Sequence, residues 1–87
     1  IDKVNDLQIR VFPNPATQQV HFSINGISHF QSILIKIHDI DGRIVAELKG
    51  QNNSIIDWDV SSLPKGIYLY KIVSNNQYSY TGKISVY

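Results

Sequence analysis

Eighty-seven residues make one domain with a modest core, and 43% hydrophobic with 17% charged residues marks the chain as globular rather than disordered. A net charge of +1 implies neither a nucleic acid nor an anionic membrane surface as partner. With no cysteine, neither disulfides nor thiolate-bound zinc can stabilise the fold, and no stretch approaches the ~18–20 apolar residues of a transmembrane segment.

The chain begins at Ile1 without Met or a signal peptide, and so reads as a piece of a larger protein, with residues 1–6 a linker remnant. The first strand is "LQIRVF", in which Leu7, Ile9 and Val11 alternate with Gln8 and Arg10. Pro13-Asn14-Pro15 stops it, because neither proline can donate a ladder hydrogen bond. "QVHFSI" sets Val20, Phe22 and Ile24 in phase, and Asn25-Gly26 is a turn signal. "GISHFQS" has no clear phase and reads as a crossing loop. In "ILIKIHD", Ile33, Ile35 and Ile37 share a face, and Asp41-Gly42 predicts a tight hairpin in which glycine accepts the positive φ.

"RIVAELK" returns with Ile44, Ala46 and Leu48 in phase, until Gly50-Gln51-Asn52-Asn53 breaks the run. "SIIDWDV" points Ile56, Trp58 and Val60 inward and Asp57 and Asp59 outward. "SSLPKG" turns the chain, "IYLYKIV" runs back, and Asn75-Asn76 leads to the last strand. There Tyr78, Tyr80, Ile84 and Val86 face one way and Ser79, Thr81, Lys83 and Ser85 the other, a half-buried period that continues almost to Tyr87. Seven short strands and no helical period predict an all-β, immunoglobulin-like antiparallel sandwich.

Chemistry is hard to find in these residues. "DIDG" resembles the start of a calcium loop, but Ile44 and Gly50 stand where that loop needs Gly and Glu, so a hairpin turn is favoured. His21, His29 and His38 have no metal-binding spacing and read as surface histidines, and Asp57 and Asp59 as outward residues beside Trp58. Without a G-x-S-x-G elbow or another catalytic constellation, no enzyme, metal or cofactor is expected. Trp58, Tyr68, Tyr70, Tyr78 and Tyr80 read as core aromatics ahead of a ligand-binding face.

Four motifs stand in order: Pro13-Asn14-Pro15, Asp39-Ile40-Asp41-Gly42-Arg43, Leu63-Pro64-Lys65-Gly66-Ile67-Tyr68 and a terminal Gly82-Lys83-Ile84. Their succession resembles the C-terminal sorting domain of type IX (Por) secretion cargo in Bacteroidetes. The resemblance implies an address label that takes an N-terminal cargo domain through the periplasm to the cell surface or medium. Its implied partners are outer-membrane translocon components and a sortase-like cysteine peptidase that removes the label. It further implies that Gly82, Lys83, Ile84, Ser85, Val86 and Tyr87 form the recognition element, with Lys83 as its charged contact. Pro13, Asn14, Pro15, Asp39, Gly42, Arg43, Leu63, Pro64, Gly66 and Tyr68 would be scaffold. The family often ends on a basic residue, where this chain has Tyr87.

A strand edge captured by its receptor fits this reading, and the same edge could support self-association. Two other readings are a plain β-sandwich interaction module and a carbohydrate-binding accessory module of a secreted enzyme using Trp58 and the tyrosines. Fold alone does not choose among them.

Overall fold

A computed structural model of the chain describes residues 8–25, 32–51, 54–74 and 78–87. Seven strands follow in order: β1 (Gln8–Phe12), β2 (Gln19–Asn25), β3 (Ser32–Asp39), β4 (Ile44–Gln51), β5 (Ser54–Asp59), β6 (Gly66–Ser74) and β7 (Tyr78–Val86). They form two antiparallel sheets, β1-β2-β5 and β4-β3-β6-β7, so the all-β sandwich expected from the alternation is the observed architecture. The readings of residues 1–6 and of Leu7, of residues 26–31 with His29, of residues 52–53 and of residues 75–76 lie outside the described residues, as does the side chain of Tyr78.

The core lies between the sheets and is built from the predicted phases. Val20, Phe22 and Ile24 of β2 and Ile56 and Trp58 of β5 join Ile33, Ile35 and Ile37 of β3, Tyr68, Tyr70 and Ile72 of β6, and Ile84 and Val86 of β7 in one buried cluster. Burying such a side chain stabilises the fold by about 1.5–3 kcal/mol. The rings also meet in specific geometry. Phe22 stands edge-on to Tyr70 at 5.4 Å, and Trp58 edge-on to Tyr68 at 6.0 Å, the arrangement that ring quadrupoles favour.

Two inward assignments do not hold. Ile44 is 58% exposed because the β3–β4 register slips: Ile37 lies opposite Ala46, but His38 lies opposite Ile44. The extra residue, Val45, forms a bulge that turns Ile44 to the outer face while Ala46 and Leu48 pack on the core. Tyr80 is 45% exposed on the edge strand β7, opposite the buried Ile72, and its ring leans on Tyr70 at 6.3 Å.

Candidate functional site

The terminal motif lies on β7, an edge strand whose one neighbour in its sheet is β6. Pairing is continuous, from Ser74 opposite Tyr78 to Gly66 opposite Val86. On the other side of β7, the segment after β1 occupies the edge. The Asn14 side chain donates through Nδ2 to the Lys83 carbonyl (3.0 Å) and accepts through Oδ1 from the Ser85 N–H (3.0 Å). Next, the Ala16 N–H donates to the Ser85 carbonyl and the Tyr87 N–H to the Ala16 carbonyl, both at 2.8 Å, as a short parallel bridge. An amide side chain has one donor and one acceptor at the spacing of a peptide group, so Asn14 substitutes for a missing strand residue.

The first and last motifs are thus one structural unit. Pro13 and Pro15, both following cis peptide bonds, flank Asn14, and Ala16 is fully buried. The sequence marks Pro13-Asn14-Pro15 as the end of β1 and as scaffold, and carries no sign of Ala16. The edge expected to be free is occupied from Lys83 onward, and a receptor strand could add there only by displacing residues 14–16. The register leaves Ser79 and Thr81 on the stretch of edge where, among the described residues, no strand pairs.

The six terminal residues divide by side-chain placement. Ile84 and Val86 are fully buried core residues. Lys83 is exposed, Ser85 half-buried and Tyr87 67% exposed. Gly82 lies opposite Tyr70, and a Cβ there would overlap the Tyr70 ring. Its role is to let the ring lie on the strand. Burial, then Tyr80, holds the Tyr70 hydroxyl above its ordinary pKa. Where β6 begins and β7 ends, Lys65, Gly66, Ile67, Ser85, Val86 and Tyr87 line an open groove of about 480 Å³.

The two middle motifs are turns built on local hydrogen bonds. Asp39 Oδ1 accepts from the N–H groups of Asp41 (2.9 Å) and Arg43 (3.0 Å). The Gly42 N–H donates to the Asp39 carbonyl and the Asp39 N–H to the Arg43 carbonyl, closing a loop of three residues with Gly42 at φ +90°. The N–H of Arg43 is the chief cause of a lowered Asp39 pKa, helped by the Asp41 N–H and the Arg43 guanidinium. Arg43 itself is exposed, 3.8 Å from each of the Asp39 and Asp41 carboxylates. In the second turn the Tyr68 hydroxyl donates to the Pro64 carbonyl (2.6 Å), Leu63 packs on the core and Gly66 takes φ +151°. Asp59 accepts from the Ser61 hydroxyl (2.7 Å) and N–H (2.9 Å), which lower its pKa in that order.

Among the described residues, the histidines and aspartates considered for chemistry do not gather at one site. His21 Nδ1 and Asp57 Oδ1 meet at 2.6 Å as a cross-strand pair on the outer face of β1-β2-β5, with the Phe12 ring 5.4 Å from His21. His38 Nδ1 lies 2.9 Å from the Asp39 carbonyl. Among the described residues, no three His, Cys, Asp or Glu side chains gather as metal ligands, and no helix is long and apolar enough to cross a membrane.

Comparison with known proteins places this arrangement. The family model described as the secretion system C-terminal sorting domain matches residues 10–87. An endo-acting ulvan lyase of Formosa agariphila is 27% identical over 78 residues, covering 90% of this chain and 14% of the lyase. The crystal structure of dimeric latent PorU from Porphyromonas gingivalis contains a similar fold, with a TM-score of 0.73 at 23% identity over 92% of this chain and 9% of that one. The chain thus spans a small part of each of these proteins. On the family match over nearly its whole length, the chain belongs to the secretion system C-terminal sorting domain family, the C-terminal signal that sends type IX cargo to the cell surface or medium.

Proposed function

We propose that Gly82 to Tyr87, held by Asn14 and Ala16, form the element that the outer-membrane translocon reads. The observation that carries this is the clamp: four hydrogen bonds fix the last residues of a strand in one geometry. Pre-ordering a recognition segment lowers the entropy lost on binding. Lys83, Ser85 and Tyr87 offer the side chains to be read, and Gly82, Ile84 and Val86 set the strand that displays them. The open groove bordered by Ser85 and Tyr87 gives a receptor a concave place to engage that end.

The whole protein joins this label to an N-terminal cargo domain, with residues 1–6 as the junction. The ulvan lyase similarity supports a secreted enzyme as cargo, since that relative is many times longer than the matched segment. The cargo crosses the periplasm before the label meets the translocon, and a sortase-like cysteine peptidase then removes the label at the surface. On this reading the domain has no catalytic role of its own. Self-association through the β7 edge is open to Ser79 and Thr81, upstream of the clamp.

The test is a reporter with a Sec signal, fused to residues 1–87 and produced in a Bacteroidetes host with an intact type IX system. Full-length label brings reporter to the surface or medium, and the same fusion lacking Lys83 to Tyr87 does not. Retention of both in the periplasm with the domain folded would move the interaction-module and carbohydrate-binding readings to the front.

A further inference from the structure

The outer faces of the two sheets differ in charge. Lys49 of β4, Lys36 of β3, Lys71 of β6 and Lys83 of β7 are all exposed on the outer face of the four-stranded sheet. Lys36 lies directly opposite both Glu47 and Lys71, and Lys83 opposite Leu69. Four of the chain's eight basic residues thus share a face with a single acid of its strands. Asp57 and Asp59 project from the other sheet, and Asp39 ends β3 opposite the buried Tyr68, with Asp41 in the turn that follows. Among the described residues, none of the four lysines has an ion-pair partner.

Among the described residues of this face, only Glu47 offsets these charges. Like charges directly opposite on neighbouring strands repel, as Lys36 and Lys71 do. Aliphatic side chains stand among the cations: Leu34, Leu69 and Val73 are half-buried, Ile67 is 46% exposed, and the bulge has turned Ile44 outward. An antiparallel sheet with one solvated face ordinarily keeps that face polar. Exposed aliphatics are covered by apolar groups, which a layer of anionic headgroups or a polyanionic glycan does not offer. Among the described side chains of these strands, Tyr68 and Tyr70 are buried and Tyr80 leans on Tyr70, so none of these rings stands between the lysines to stack on a sugar. An acidic protein surface with aliphatic patches satisfies both the charge and the apolar area.

We propose that the outer face of the β4-β3-β6-β7 sheet is a second docking surface, meeting the terminal strand end at Lys83, for an acidic protein partner met during export. This rests on the sorting reading, so its test leaves Lys83 untouched. Three reporter fusions are compared for export: wild type, K36E/K49E/K71E and K36R/K49R/K71R. Thermal melts establish that all three are folded. Because like-charge contact opposes association strongly, the glutamate variant is expected to export about tenfold less or worse, with the arginine variant close to wild type. A photo-reactive benzophenone side chain at position 71 is expected to link to a protein at an acidic stretch. Wild-type export with undiminished export of the folded glutamate variant overturns the proposal alone, as does an adduct with a glycan or no adduct. Failure of the wild-type fusion to export instead strikes the sorting reading on which it rests.

Discussion

Replacing Asn14 by Ala isolates the clamp from the rest of the fold. The substitution removes two hydrogen bonds, to the Lys83 carbonyl and from the Ser85 N–H, and leaves the Ala16 bridge in place. Each bond is worth about 0.5–1.5 kcal/mol net, and both are exposed, so water re-solvates the freed groups and the loss lies near 1–2 kcal/mol. In a domain of this size about 1 kcal/mol lowers the melting temperature by roughly 4–8 °C. Amide exchange is the sharper assay, because the Ser85 N–H depends on Asn14 alone while the Tyr87 N–H is held by Ala16. Ser85 exchange should rise by about tenfold, the equivalent of 1.4 kcal/mol, with a smaller change at Tyr87. Asn14→Asp keeps an acceptor for Ser85 but loses the donor to Lys83, so Ser85 protection should survive while the melting temperature still falls. If Ser85 exchanges in Asn14→Ala as it does in wild type, Asn14 does not hold the strand and the clamp is mistaken.

Three further outcomes follow from the turns and the core. Gly82→Ala forces a methyl into the Tyr70 ring and should cost about 1–3 kcal/mol in a denaturant titration; an unchanged midpoint would refute the close approach. Tyr68→Phe removes the hydroxyl from the Pro64 carbonyl and should cost about 0.5–1.5 kcal/mol by thermal melt, with the fold retained. Asp39 and Asp59 have lowered pKa values, so their contribution is complete above the ordinary Asp value of about 4 and is lost as pH falls through the lowered values. Melts from pH 6 to 2 should therefore show a flatter acid decline for D39N/D59N than for wild type, and parallel curves would count against it.

Much of the fold was legible because alternation reports burial directly. Val20, Phe22 and Ile24, the three isoleucines of β3, and Ile56 with Trp58 and Val60 all face inward as their period demands. Ile44 escapes the pattern because a one-residue bulge reverses phase without any mark in composition, and the exposure of Tyr80 escapes it because alternation gives the side of a sheet but not which strand lies at its edge. The site was legible as motifs and not as an assembly. Asn14 meets Lys83 and Ser85 across 69 and 71 residues, a contact that no local pattern encodes. Ala16 carries no signal beyond its small size, and the Tyr70 ring that lies on Gly82 is visible only once β6 and β7 are paired.

Deleting the terminus removes Ile84 and Val86 from the core together with whatever a receptor reads, so recognition is tested most directly with the fold kept intact. The decisive comparison is reporter export by wild-type label and by K83T/S85T/Y87S, which keeps every buried residue of β7, with melting temperatures of both recorded. The account predicts a folded variant whose reporter stays in the periplasm. A folded variant exported as well as wild type would contradict it, and would show that the terminal strand serves the fold alone.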